Sequence, residues 1–168
     1  FQNSHELRAT GGYIGSFAVI TVKRGKVRGF DFFDTSNFDY RNNSKGGLKK
    51  TPEPFQKYLN IHWWGLRDAN WNPDFSKTGN RIIGFYNDLG GKKDIDGVVA
   101  ITPNVLRRVL EITGPIKIEG EPEFKAENVV DRIQYRVERG FLDKEGTRER
   151  RKEIMKKLAQ KIIEKTKS

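Results

Sequence analysis

The sequence predicts a layered α/β domain, and three observations along Ile95–Ile118 predict it. Gly97 to Ile101 (Gly-Val-Val-Ala-Ile) is short, nearly all apolar and rich in β-branched residues, the pattern of a strand covered on both faces. Thr102-Pro103 then opens a helix, with a hydroxyl at the N-cap and proline at the first helical position. Val105, Leu106, Val109, Leu110 and Ile112 recur at helical spacing until Gly114-Pro115 ends the run, and Ile116 and Ile118 begin an alternating strand. Strand, helix and strand with short joints form one unit of a layered α/β domain. The unit is read as scaffold: it carries no candidate for chemistry.

The remaining elements follow in chain order. Residues 1–10 are mostly polar. Tyr13 to Val22 and Val27 to Asp34 read as the two strands of a hairpin around a turn at Lys23-Arg24-Gly25-Lys26. Its glycines lack the Gly-x-Gly-x-x-Gly spacing and open a strand instead of a helix, so they are not a dinucleotide fingerprint. Asp34 to Thr51 reads as a long polar loop. Pro52-Glu53-Pro54 starts a short helix to about Leu59. All three tryptophans fall between Ile61 and Phe75, interleaved with Arg67, Asp68, Asn70 and Asp74. Asp74 or Ser76 caps a helix to about Leu89, with Ile82, Ile83, Phe85 and Tyr86 on its apolar side. Further helices are expected from about Ala126 to Arg139 and from about Thr147 to Lys165, around a glycine-bearing break at Gly140–Gly146.

Length and composition bound the function. The 168 residues fit one domain that buries its own core. Without cysteine there is neither a disulfide framework nor a thiolate metal site. No apolar run reaches the roughly 18–20 residues that span a bilayer. The chain opens without a start methionine or signal peptide, and a longer protein carrying a preceding anchor is expected. The net charge of +10 is uneven: residues 1–50 hold 9 basic and 4 acidic side chains (+5), residues 51–131 hold 10 and 12 (−2), and residues 132–168 hold 13 and 6 (+7). Basic ends around a balanced middle suit an anionic partner, whether nucleic acid, a phosphate-bearing small molecule or an anionic membrane; a lysine-rich helix that is merely solvated gives the same count.

Candidate chemistry gathers on arginines. On the last helix Ile154, Met155, Leu158, Ala159, Ile162 and Ile163 form the apolar stripe. Continued backwards, that stripe meets Arg151 and Arg148 at the N-terminal end. Two guanidinium forks beside a helix N-terminus suit a phosphate or pyrophosphate, and Arg136 and Arg139 end the preceding helix. Ion pairing with Asp143, Glu145 or Glu149 is the alternative. Arg67 and Asp68 either serve a site or pair with each other. The tryptophan run reads as a packed loop more readily than as a sugar platform. His5 and His62 share no metal-ligand spacing, and no serine has a nucleophile context. Asp34, at a strand end, is the best carboxylate for Mg²⁺, with a turn-starting role as its alternative.

Asn3-Ser4-His5-Glu6-Leu7-Arg8-Ala9-Thr10-Gly11-Gly12-Tyr13-Ile14-Gly15-Ser16 resembles the opening of an uncharacterised bacterial domain-of-unknown-function family. So do Arg67 to Phe75, Asp96 to Ile101 and Ile112 to Ile116. In that family the domain usually follows a membrane segment, which implies an extracytoplasmic position. More distantly, the layout is similar to the LytR-CpsA-Psr family, which transfers glycopolymers from a polyprenyl pyrophosphate carrier to the cell wall. That resemblance implies a three-layer α/β/α sandwich with a central mixed β-sheet. Glu145-Gly146-Thr147-Arg148-Glu149-Arg150-Arg151 looks like the family's Asp-x-x-Arg-x-x-Arg motif, which implies pyrophosphate contacts for Arg148 and Arg151. Arg136 and Arg139 resemble the arginines just before that motif, and Asp34-Thr35 resembles the Asp of its Arg-Asp pair. Phe33 stands where that pair has arginine, and Lys152 where the motif continues with glutamine.

The expectation is a single domain over residues 1–168 that binds a polyprenyl-pyrophosphate-linked glycan, with transfer of that glycan left open. Asp34, Arg148 and Arg151 would be catalytic, with Mg²⁺ on Asp34, and Arg8, Arg67, Arg136 and Arg139 would bind substrate. A binding module without catalysis is the first alternative. Nucleic-acid binding through the basic ends is the second, which no recognised motif supports.

Overall fold

The computed structural model describes residues 1–3, 5–42, 48–139 and 148–165, without the side chains at 42, 134, 136–139 and 148–152. The fold is mixed α/β. Contacts divide the chain into two compact units, Phe1–Ala100 and Ile101–Ser168. Among the described residues no helix is long and apolar enough to cross a membrane.

The first unit holds every strand described. β1 (Gln2–Asn3) pairs antiparallel with β2 (Tyr13–Ile14). β3 (Ser16–Lys23) and β4 (Lys26–Asp34) make the expected hairpin. Its two-residue turn places both Arg24 (φ 52°) and Gly25 (φ 71°) in the left-handed region, which matches the right-handed twist of paired strands and explains the glycine. The register slips at Thr21/Val22, where Gly29 and Val27 are successive partners and Arg28 is the extra residue of a bulge. Phe17, Val19 and Phe33 turn one face of the ribbon into the core. The pairs Ala18–Phe32, Ile20–Phe30 and Val22–Val27 make the other face apolar too, with Ile20 and Val22 exposed on it.

α1 (Thr35–Asn42) follows, then β5 (Lys49–Lys50), α2 (Glu53–Leu59), β6 (Trp63–Trp64, antiparallel to β5), a 3₁₀ turn at Leu66–Asp68 and α3 (Phe75–Asp88). Asp74 caps α3 as expected, accepting the Ser76 and Lys77 backbone N–H at 2.9 and 3.4 Å. Val19, Leu66, Phe85, Tyr86 and Leu89 form the core with Ile14 and Ala69. Each large apolar side chain buried there contributes about 1.5–3 kcal/mol. Aromatic rings knit it further: Phe17 stacks on Phe33 at 4.9 Å, and Phe38 of α1 stacks on Tyr86 of α3 at 5.6 Å.

The second unit is helical, with α4 (Pro103–Thr113), α5 (Val129–Arg139) and α6 (Arg148–Lys165). Gly114 takes φ 78° to end α4, a conformation a side chain would resist. The Lys165 ammonium then donates to the carbonyls of Thr113 and Pro115 at 3.0 and 2.7 Å, satisfying acceptors at that helix end. Ile116 and Phe124 exchange two 2.8 Å backbone hydrogen bonds as an isolated bridge.

The described elements depart from the expectations at five points. Gly97–Ile101 forms no strand, and Val99 is 86% exposed. Apolar β-branched residues favour a ladder but do not supply the neighbouring strand, and none among the described residues pairs there. The strands described form three separate two-stranded antiparallel ribbons, so no central mixed sheet is present among them. Ile112, placed on the apolar side of α4, is 86% exposed, while Leu110 is buried. The first half of the polar stretch after Asp34 is α1, and Tyr13 and Ile14 leave the long hairpin to pair with residues 2 and 3.

Candidate functional site

The site grows from the 3₁₀ turn. Gly65 lets the chain approach α1 closely: a Cβ there would sit 2.6 Å from the Asp39 carboxylate. Asp39 in turn accepts the backbone N–H of Leu66 at 3.0 Å and of Arg67 at 3.2 Å, tying α1 to the turn. Its residue is only 2% exposed. Burial pushes its carboxyl up to about 6, against the pull of those two N–H groups and of the Arg67 charge.

The turn also presents Asp68, fully buried, between two arginines. Arg8 donates to Oδ1 through Nε at 3.0 Å and a terminal nitrogen at 2.9 Å. Arg67 Nε lies 3.3 Å from Oδ2. Each guanidinium is also backed by a ring, Arg8 by Tyr13 at 5.7 Å and Arg67 by Tyr40 at 5.4 Å. Arg67 donates to the Tyr40 hydroxyl at 3.1 Å, and the Tyr13 hydroxyl meets Ser36 Oγ at 2.9 Å. Trp64 Nε1 donates to the Asp68 carbonyl at 2.7 Å, and the buried Asn70 donates to the Gly12 carbonyl at 2.7 Å. The turn is thereby fixed to the N-terminal segment, to α1 and to β6.

Arg67 and Asp39 open onto a cleft of about 240 Å³, lined also by Tyr40, Asn60, His62 and Trp63. Trp63 is 62% exposed and offers its ring to the solvent side. A positioned guanidinium, an amide and an exposed aromatic face are the groups that hold a polar, ring-shaped ligand carrying negative charge.

Two of the expected site residues are thus brought together. Arg8 and Arg67 meet on one carboxylate, and of the two readings for Arg67 and Asp68 the pairing holds while Arg67 still faces the cleft. Asp34 is buried at the end of β4, and its Oδ1 accepts the Asn37 N–H at 2.9 Å, the N-cap of α1. Arg148 and Arg151 fall in the first turn of α6 and Arg136 and Arg139 in α5, but their side chains lie outside the described residues, as does the break at Gly140–Gly146. No group of three His, Asp or Glu able to hold a metal forms among the described residues. Asp39 was missed. It sits in a stretch read as a polar loop, and its partners, the Leu66 and Arg67 amides, lie far along the chain.

A family model described as a protein of unknown function (DUF4012) matches residues 1–137. No curated protein and no solved structure matches the chain.

Proposed function

The chain belongs to this DUF4012 family of unknown function, and from that premise we propose that it is a cell-envelope binding module for a phosphate-bearing glycan such as a polyprenyl-pyrophosphate-linked glycan. The observation that carries the proposal is the cleft mouth. Arg67 is held there by Asp68 and Tyr40 beside the exposed ring of Trp63. A guanidinium already fixed by protein partners loses little freedom on meeting an anion. Arg8 would act as a positioning residue that shares Asp68. Separately from that cleft, pyrophosphate contacts for Arg148 and Arg151, with Arg136 and Arg139 preceding them, are proposed on the resemblance of 145–151 to the LytR-CpsA-Psr motif.

The finer architecture is proposed with the function. A three-layer α/β/α sandwich is proposed from the β3–β4 ribbon alone, which is apolar on both faces and so has a second face to cover. An extracytoplasmic position with attachment through a membrane segment outside this sequence rests on the resemblance of Asn3 to Ser16.

The test is a titration with a polyprenyl pyrophosphate, followed by tryptophan fluorescence, for wild type, Arg67→Ala and Arg148→Ala. Wild type should bind, and Arg67→Ala should bind about tenfold or more weakly, the loss expected for a hydrogen bond to a charged group. No binding by wild type would end the proposal.

Metal-dependent transfer is a second reading, favoured by one observation. Thr35 Oγ1, beside Asp34, is fully buried and takes no hydrogen bond among the described residues. An orphan buried oxygen on the residue that follows a buried aspartate is the feature that favours a cation there. The residues so far give Mg²⁺ only these two oxygens, so no step is routed through it. Calorimetric titration with Mg²⁺ on wild type and Asp34→Asn decides it: equal or absent heats remove the transfer reading and leave the binding module.

A further inference from the structure

The β5–β6 ribbon has a second side, and a larger cleft lies there. Its volume is about 390 Å³. Trp64, the strand neighbour of Trp63, lines this cleft instead of the Arg67 cleft, as strand alternation requires. Lys49 from β5 and Lys77 and Arg81 from α3 bring three cations to it. Lys77, Asn80, Arg81 and Gly84 are spaced three and four apart, so one face of α3 forms a wall. None of the described lining residues is acidic.

Its aromatic and cationic groups are fixed in advance. Trp71 stands edge-on to buried Phe55 at 4.6 Å and remains 40% exposed. The Arg81 guanidinium lies over the Trp64 ring at 4.9 Å. Lys49 is held at 2.6 Å by Asp88 and Lys77 more loosely at 3.7 Å by Asp74. Asn72 and Asn80 add amide groups that both donate and accept. The α3 N-terminus itself is closed by Asp74, so it is not the binding group.

We propose that this cleft is a binding site for an acidic sugar unit, one bearing a carboxylate or a phosphate. Trp71 supplies the stacking platform. The two asparagines meet ring hydroxyls, and Arg81 with Lys49 and Lys77 meets the anionic group. A single-stranded nucleic acid also uses cations and aromatic faces. It fits less well: one face of Trp64 already carries Arg81, and the groups converge on one compact cleft instead of tracking a backbone. The site stands apart from the Arg67 cleft and is tested separately.

Gly84 makes the test clean. A Cβ added there meets nothing within 4 Å, so the side chain of Gly84→Leu starts in open space and projects from the α3 wall of the cleft. Four probes are titrated into the 168-residue chain: a hyaluronan tetrasaccharide, glucose 1-phosphate, neutral chitotetraose and a thymidine tetranucleotide. Binding is read by tryptophan fluorescence and calorimetry, with the fold of each variant checked by circular dichroism. At least one of the two acidic saccharides should bind, and about tenfold or more tighter than chitotetraose. Which of the two binds more tightly tells carboxylate from phosphate. Gly84→Leu and Arg81→Ala should each weaken it about tenfold or more, while Arg108→Ala, an exposed charge on α4, should not. Three results overturn the proposal: no binding of either acidic saccharide, affinity unchanged in both folded cleft variants, or tighter binding of the tetranucleotide than of either saccharide.

Discussion

Replacing Asp39 by asparagine should flatten the pH dependence of stability. In the unfolded chain Asp39 ionises near its ordinary value of 3.8; in the folded protein it does so near 6. Below both values each state holds the proton, and the residue costs nothing. As pH rises through that window the unfolded chain releases its proton first, so stability falls. Above about 6 the full cost remains. The gap between 3.8 and about 6 corresponds to roughly 3 kcal/mol, a sizeable share of the 5–15 kcal/mol typical of a folded domain. Burial dominates this balance, because Asp39 is almost wholly removed from water while it receives two backbone N–H groups from Leu66 and Arg67.

Urea unfolding at a series of pH values between about 4 and 7 measures the effect directly. An asparagine at this position cannot ionise, but its amide would face one of the two N–H donors. That mismatch destabilises the variant by about 1–3 kcal/mol at every pH. The readout is therefore the difference in slope between Asp39→Asn and wild type. Wild type should lose roughly 3 kcal/mol relative to the variant as pH rises across the window. Parallel curves would show that Asp39 does not titrate between the two values. A wild type that gains stability with pH would show that Arg67 and the turn amides outweigh burial.

Asp68→Ala should destabilise the protein by about 3 kcal/mol or more, because it leaves Arg8 and Arg67 without their shared carboxylate. Thermal unfolding should register about 2–4 °C per kcal/mol for a chain of this size. Adding Arg8→Ala to that variant should cost little more, and a large additive loss would dissolve the clamp. Gly65→Ala drives a methyl against the Asp39 carboxylate and the Leu48 side chain and should cost about 1–3 kcal/mol in denaturant unfolding. Gly114→Ala puts a side chain at φ 78° and should lower stability by about 1 kcal/mol, measured in the same way; a stabilised variant would mean that α4 ends differently.

What could be read from the sequence was what local physics decides. The Asp74 cap needs only the two amides that follow it, and the turn at Arg24-Gly25 needs only a left-handed pair, so both were legible. The helices over 53–59, 75–88, 103–113, 129–139 and 148–165 carried their own start signals or apolar stripes. α1 did not. Thr35, Ser36, Asn37 and Asp39 favour turns by competing for backbone groups. The helix stands because Asp34 caps it, Phe38 stacks on Tyr86, and Asp39 binds the 66–67 amides, the last two being contacts to residues far along the chain. The strand inferred at 97–101 failed for the complementary reason: composition expresses a wish for burial, while a ladder requires a partner that composition does not name.

The same division runs through the site. Arg8 and Arg67 were candidates as charged residues in a patterned sequence, but their meeting on Asp68 depends on the path of β1, β2 and the 3₁₀ turn. Asp34 precedes Thr35-Ser36-Asn37, whereas Asp39 lies between Phe38 and Tyr40, and neither setting by itself names a role. The fold gives one a helix end to cap and sets the other between α1 and the turn, where it ties two elements together. Trp63 and Trp64 are identical neighbours, and strand alternation alone sends them to different clefts, one beside Arg67 and one beneath Arg81. A charge becomes a recognition group when protein partners fix it while leaving one side toward a cavity. Arg67 meets that condition through Asp68 and the Tyr40 ring and hydroxyl, and Arg81 through the Trp64 ring. The basic excess at the two ends of the chain, which first suggested an anionic partner, does not mark these positions; both lie in its charge-balanced middle.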